Sequence, residues 1–386
     1  MKTRVYALAF AAEPHRGSEP GVGYEFARAL ARLSVDDHHE FVLYTRPHRL
    51  QLLRAALGAD VPGNRLRVVP LSVWPPAARF LRKSRIRWGY MLWQLKATRV
   101  ITREIMHVPS DDRVVVHHIT FATVAIPTFE WRIRRPSGSL RLVLGPAGSS
   151  SMRLRDKPSF RERYYHILRS IVAGQNLKDT NLAVSQTLDL EPVFRRLGAK
   201  QVVVAPNPVV DLPPSIRELP CDPKRIVNVG LFIPRKRQSL ALKAFSLLED
   251  KELRLVFVGD GPDAPRLRAQ VEALNLSHRV EFTGNVSREQ ALTEISKSAV
   301  LLHTALSEGA TWVIAEAQAV GTVPVAAPRT GADSTIAIGG IGVIADSDSS
   351  ADLARAVEEA LTHANVSTDM WSRERLPALL RGWYEL

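Results

Sequence analysis

Two carboxylates stand eight positions apart in Ser307-Glu308-Gly309-Ala310-Thr311-Trp312-Val313-Ile314-Ala315-Glu316. Thr311 is placed to cap a helix that Gly321 and Pro324 end. The free N–H groups near Gly309–Trp312 then favour an anion, with Glu308 in the loop and Glu316 on the helix. Taken alone, a buried helix with Val313, Ala317 and Val320 facing a core explains most of that segment. A second cluster, Gly230-Leu231-Phe232-Ile233-Pro234-Arg235-Lys236-Arg237, sets three adjacent cations on a loop from strand to helix. A diphosphate needs compact positive charge at such a place. A solvated basic loop is the plainer alternative.

Three further patterns could touch a ligand. Gly17-Ser18-Glu19-Pro20-Gly21-Val22-Gly23 follows the first expected strand and precedes the first helix, where glycines let backbone approach a ligand closely. Its spacing is not that of a dinucleotide fingerprint, because position 26 is Phe. His117 and His118 end the run Val114-Val115-Val116, and a strand-terminal His can donate a hydrogen bond or act as a base near neutral pH. A His pair is equally explained as a satisfied structural feature, and it has no nearby third ligand for a metal. Residues 79–103 interleave cations and aromatics, as membrane-surface helices do. A helix packed on its own domain with an Arg-rich outer face is the plainer reading. The string Asp346-Ser347-Asp348 is read as an N-cap for the following helix rather than as a metal ligand set.

Residues such as these must be positioned by a fold. Short β-rich runs alternate with amphipathic stretches. Strands are expected at Arg4–Phe10, Phe41–Tyr44, Leu66–Leu71, Arg113–His117, Leu140–Leu144, Leu182–Ser185 and Val202–Ala205. Val209–Lys224 is proline-rich and reads as a stiff linker. Strands resume at Arg225–Gly230, Leu253–Gly259, Arg279–Gly284, Ala299–Thr304, Val323–Ala327 and Gly342–Ala345. Helical spacing lies between, including Ser239–Leu248, Pro265–Leu274 and Ser350–Leu361. The class is therefore α/β, with two domains joined near residue 215 and a cleft expected between the carboxyl edges of their sheets.

The chain has 386 residues, 45% hydrophobic and 24% charged, which excludes disorder, collagen and coiled coil as its class. Lys plus Arg number 52 against 39 Asp plus Glu, a net charge of +13. That excess predicts acidic partners: nucleic acid, phosphorylated small molecules or anionic lipid. No RNP, KH or helix-turn-helix pattern is present, so no nucleic-acid partner is expected. The single Cys221 excludes a disulfide framework and a multi-cysteine zinc site. P-loop, zincin and α/β-hydrolase signatures are missing. No apolar run approaches the roughly 18 residues of a spanning helix. Val5–Ala12 reads as a buried first strand rather than a signal peptide. A cytoplasmic protein is expected, peripheral on the inner face of the membrane if residues 79–103 hold it there.

In order along the chain, these segments resemble the family-4 retaining glycosyltransferases of the GT-B fold. Glu308–Glu316 is similar to that family's E-x7-E motif, and Ala317-Gln318-Ala319-Val320-Gly321-Thr322-Val323-Pro324-Val325 to its EAMAxGxPV run. Val229–Lys236 resembles its GRLxxxKG loop, Val258-Gly259-Asp260-Gly261-Pro262 its GxGP turn, and Phe282-Thr283-Gly284 its FxG strand. Gly17–Gly23 matches its glycine loop. His117–Phe121 and Gly145-Pro146-Ala147-Gly148 look like the HHxTF and GPxGG segments of a bacterial subgroup.

The resemblance implies two Rossmann-like domains: residues 1–212 binding the acceptor and 213–368 binding a nucleotide sugar, with 369–386 as a C-terminal helix returning to the first domain. It implies transfer from a nucleoside diphosphate sugar, UDP- or GDP-linked, to a hydroxyl-bearing acceptor, without a bound metal or other cofactor. Lys236 and neighbouring Arg235 and Arg237 are implied to hold the diphosphate, with the Gly309, Ala310 and Thr311 backbone facing it. Glu308 is implied to contact donor-sugar hydroxyls and Glu316 the ribose. Gly21, Gly23, Gly259 and Gly284 belong to the same donor site. His117 or His118 is implied to stand near the reacting sugar, the choice between them left open, with Ser18, Glu19 and His118 toward the acceptor. This chain departs from the family in three places. Leu231 stands at the family's Arg, with Arg235 or Arg237 as substitute; Ala310 stands at its Phe; and Gly148-Ser149-Ser150-Ser151 replaces a second glycine. A nucleotide-sugar-binding or membrane-surface scaffold without transfer activity is the alternative from another class.

Overall fold

The computed structural model describes residues 2–14, 18–36, 38–73, 83–122, 126–148, 160–207, 209–217, 219–309 and 311–386. It divides into two compact units, Met1–Asn207 with Arg373–Leu386, and Pro208–Ser372.

The first unit runs β1 (Thr3–Leu8), α1 (Ser18–Asp36), β2 (Glu40–Thr45), α2 (Leu50–Asp60), β3 (Arg67–Pro70), α3 (Lys83–Ile105), β4 (Arg113–His118), β5 (Leu140–Ala147), α4 (Phe160–Leu177), β6 (Leu182–Ser185), α5 (Glu191–Arg196) and β7 (Gln201–Val204). Its described strands form one parallel sheet in the order β3-β2-β1-β4-β5-β6-β7. Parallel strands are covered on both faces, which is why their sequences are continuously apolar. Alternation then sorts neighbours to opposite sides. Tyr6, Leu8, Val114 and Val116 face Tyr90, Trp93, Ala97 and Ile101 of α3. His117, one residue out of step, faces Phe26 of α1 and Trp383.

The basic aromatic stretch therefore has a structural role in its described part. Residues 79–82 lie outside the described residues. From Tyr90 onward the aromatics are core, and Lys96, Arg99 and Arg103 make an exposed charged stripe. The described part of the stretch is thus a helix packed on its own unit with a basic outer face.

The second unit contains α6 (Pro214–Arg217), β8 (Asp222–Val229), α7 (Gln238–Ser246), β9 (Arg254–Val258), α8 (Ala264–Ala273), β10 (Val280–Gly284), α9 (Arg288–Ser296), β11 (Ser298–His303), α10 (Trp312–Val320), β12 (Val323–Ala326), α11 (Ala332–Gly339), β13 (Val343–Ile344) and α12 (Ser350–Ala360). Its described strands pair in parallel in the order β10-β9-β8-β11-β12-β13. Phe245, Leu255, Phe257, Leu302 and Val357 pack on one face, and Val227, Val256, Leu301, Ile314 and Ala317 on the other. The linker expected at Val209–Lys224 is partly ordered structure, because β8 already pairs Asp222 with Ser298 of β11. Val210 N–H donates to Trp371 O at 2.7 Å, and buried Trp371 Nε1 donates to Gln318 Oε1 at 2.6 Å. Residues 209–212 and 369–372 thus belong to this unit, not to the first domain and the returning helix. Asp348 is not the cap of α12; Ser349 Oγ accepts the Asp352 N–H at 3.1 Å.

Helix α13 (Arg375–Tyr384) rejoins the first unit, burying Leu380, Trp383 and Tyr384. Arg373 meets Glu25 and Arg28 meets Glu374, each at 2.9 Å, tying its start to α1.

Candidate active site

Two loops leave the carboxyl edge of the second sheet side by side. Gly230–Arg237 leads from β8 to α7, and Thr304–Thr311 leads from β11 to α10. They are stitched by backbone. Leu306 N–H donates to Arg235 O at 2.9 Å, Arg237 Nε to Thr304 O at 2.8 Å, and the Thr304 hydroxyl to Lys236 O at 3.1 Å.

On that frame Lys236 Nζ lies 2.6 Å from Glu308 Oε1, and Arg235 Nη1 lies 3.0 Å from the same oxygen. Burial works against ionising Glu308, but Lys236, by charge and hydrogen bond, and then His303 and Arg235 hold its carboxyl below the ordinary value. Arg237 does not join them; it binds Asp348 at 2.8 Å. Of the two cations that could stand in for the family's arginine at Leu231, only Arg235 shares the Glu308 carboxylate with Lys236.

Sequence reasoning missed His303 at the end of β11. It is 4% exposed, and its pKa is pushed down to about 3, first by burial and then by Lys236. Its Nε2 has no hydrogen-bond partner among the described residues. A polar residue closing an otherwise apolar strand was the available signal. Arg288 was missed as well. Its Nε lies 3.0 Å from Glu316 Oε1, and its guanidinium stands 5.0 Å over the Trp312 ring.

Thr311 caps α10 by position, but its hydroxyl makes no capping bond. Gly321 does end the helix. Ala310 lies outside the described residues. Gly259 has φ +135°, and a Cβ there would stand 2.2 Å from Gly230 O. Its N–H donates to Gly284 O at 3.0 Å, so glycine lets the ends of β8, β9 and β10 close together.

The first unit treats its expected site residues differently. Gly21 and Gly23 lie inside α1, not in a loop before it. A Cβ on Gly23 would stand 1.9 Å from Ala11 O, so this glycine serves helix packing. Gly17 and the side chain of Ser18 lie outside the description, as do residues 149–151. The two histidines point to opposite faces, and neither faces solvent. His117 Nδ1 meets Tyr384 Oη and its Nε2 meets Gly145 O, each at 2.6 Å. No ring nitrogen of His117 is left for a substrate, and burial pushes its pKa down to about 3. His118 Nε2 meets Tyr90 Oη at 2.6 Å, and its Nδ1 stands 2.8 Å from Glu130 Oε1. Glu19 Oε2 accepts the Phe121 N–H at 2.8 Å, and burial raises its pKa. These side chains form buried ties at the carboxyl edge of β4.

Comparison with known proteins places this geometry. Solved structures establish the fold. Sucrose-phosphate synthase from Thermosynechococcus elongatus superposes with a TM-score of 0.64 at 17% identity, covering 100% of this chain and 97% of that one. Anabaena HepE in complex with UDP gives 0.56 at 15%, covering 100% and 96%. WaaG, a glycosyltransferase involved in lipopolysaccharide biosynthesis, gives 0.53 at 15%, covering 99% and 95%. The chain has the GT-B fold of two parallel-sheet α/β units. Residues 214–375 match the family described as Glycosyl transferases group 1. Over 111 residues the chain is 32% identical to mouse GDP-Man:Man(3)GlcNAc(2)-PP-Dol alpha-1,2-mannosyltransferase, 25% of this chain and 23% of that protein. Over 149 residues it is 30% identical to D-inositol 3-phosphate glycosyltransferase of Mycolicibacterium smegmatis, 37% of this chain and 34% of that protein. The matches span about a quarter to a third of those relatives' lengths. No described helix is long and apolar enough to cross a membrane.

Proposed function

We propose that the chain is a bacterial, retaining family-4 glycosyltransferase that moves a sugar from a nucleoside diphosphate sugar to a hydroxyl acceptor without a metal. The carrying observation is the Lys236–Glu308–Arg235 cluster beside the start of α10, inside the segment that matches Glycosyl transferases group 1. The neighbour bound to UDP and the GDP-mannose-using relative support UDP or GDP as the donor's nucleotide.

In this reading the bond from sugar C1 to the diphosphate oxygen breaks, and negative charge grows on the leaving phosphate. Lys236 and Arg235 neutralise that charge as it forms, helped by the N–H groups opening α10. Without donor, Glu308 balances both cations. With donor, phosphate oxygens take that role and Glu308 turns to the sugar hydroxyls. Glu316, steadied by Arg288, takes the ribose hydroxyls. The acceptor oxygen attacks C1 on the leaving-group face, and its proton passes to the departing phosphate, so no protein base is required. His117 has no place in this scheme, and His118 acts through the loop it supports.

The test is a thermal-shift screen against nucleoside diphosphates and their sugars. A nucleotide at 100 times its Kd adds about 2.7 kcal/mol. The expected result is a selective shift by one nucleoside diphosphate, lost in Lys236→Ala, with its sugar form turned over. No shift by any of them would overturn the reading. A shift without turnover would favour a non-catalytic binding protein, which exposed Leu231 at the family's arginine position makes the second reading.

A further inference from the structure

Helix α4 turns an apolar stripe to water. Inward, Ala173 and Leu177 join the cluster around Leu144, Ala183 and Phe194. Outward, Phe160, Tyr164, Ile167, Leu168 and Ile171 recur at the three- and four-residue spacing that aligns one stripe along a helix. Phe160 is 86% exposed, Ile167 59% and Ile171 63%. Single exposed apolar residues need no account, but a contiguous row of them does. The helix sequence carries Arg161, Arg163 and Arg169 against one carboxylate, Glu162, and Arg163 is exposed.

We propose that this face docks on an anionic bilayer surface. In that arrangement α4 lies in the plane of the interface, with Phe160, Ile167 and Ile171 in the boundary between headgroups and acyl chains. Exposed Arg163 meets the lipid phosphates, and the net charge of +13 draws the chain to such a surface from a distance. A second copy of the chain is the poorer occupant. A two-fold pairing of this face would bring together two copies of a helix that carries three arginines against one carboxylate, like charge toward like charge. Docking here requires neither donor nor turnover, so it stands independently of the transferase reading.

The test is co-sedimentation of the full chain with vesicles of phosphatidylglycerol mixed into phosphatidylcholine, and with phosphatidylcholine alone. Binding is expected to the anionic vesicles and to weaken as salt rises. Ile167→Asp with Ile171→Asp lowers vesicle affinity by at least about tenfold, equivalent to about 1.4 kcal/mol, while an unchanged melting temperature shows that the unit still folds. Ile167→Leu with Ile171→Leu retains binding. If the aspartate variant misfolds, Ile171→Cys in a Cys221→Ser background, labelled with an environment-sensitive fluorophore, reports the same contact. Its emission shifts to the blue on anionic vesicles. The proposal is overturned by no binding of the unmodified chain, by undiminished binding of a folded aspartate variant, or by a label that does not shift. A dimer of the unmodified chain that the aspartate pair dissociates would also overturn it, in favour of self-association.

Discussion

Buried His303 makes the second unit acid-sensitive in a way that a single substitution can expose. Its folded-state pKa of about 3 lies below the ordinary 6.5. Lys236, Arg235 and Arg237 add to the depression that burial starts, and Glu308 opposes it. The unfolded state therefore binds more protons below pH 6.5, and stability must fall as pH falls. At pH 7 the imidazole is mostly neutral in both states. At pH 5 it is almost wholly protonated when unfolded and neutral when folded. Integrating that difference between pH 7 and pH 5 gives a loss of about 2 kcal/mol. Glu308, whose pKa is depressed, adds a loss only as pH falls through the carboxylate range, below this window. The first unit would blur a whole-chain melt. His117 loses stability in the same direction there, while Glu19, with its raised pKa, works against it. Hydrogen exchange of the β8 and β11 amides at pH 7 and pH 5, corrected for intrinsic rates, isolates the second unit. In His303→Asn the acid-induced loss should shrink by about 2 kcal/mol, whatever constant offset the substitution brings. An equal loss in both proteins would refute the reasoning, because it would mean that this imidazole titrates as if exposed.

Gly23→Ala should cost about 1–3 kcal/mol in urea unfolding, since its Cβ would overlap Ala11 O at 1.9 Å and force α1 away from the segment after β1. Tyr384→Phe should cost about 1–3 kcal/mol by leaving buried His117 Nδ1 unpaired, read in the same assay. Arg235→Ala should lower kcat by on the order of 10², the scale of a lost oxyanion donor, whereas Arg237→Ala, which frees Asp348 instead, should lower it less; steady-state release of nucleoside diphosphate measures both.

What the sequence disclosed followed from what each signal encodes. Every described strand overlaps an expected one, because strands buried on both faces leave apolar, β-branched runs that nothing else in the chain imitates. Ends were less legible. β8 begins at Asp222, inside the proline-rich stretch, because pairing with Ser298 needs backbone and no apolar side chain. Gly21 and Gly23 suggest a loop by what glycine permits, yet both lie within α1. Only the Ala11 carbonyl against α1 shows that Gly23 answers a packing demand. The motif segments around Lys236 and Glu308 were visible one by one, yet the separation that matters, 2.6 Å across 72 positions of chain, belongs to the β8–β11 pairing. The histidines show the same limit more sharply. Adjacent residues on one strand must face opposite ways, so His117 and His118 could never have shared one site. Which faces were already taken depended on α3 and α13, from distant parts of the chain. His303 completes the argument from the other side. It looked like the end of an apolar run, and it became a site residue only when the fold set Lys236 and Glu308 against it. Arg288 was hidden for the same reason, since it meets Glu316 only through the fold; a pattern-based reading finds the charges that stand inside a motif and misses the groups that the fold brings to them.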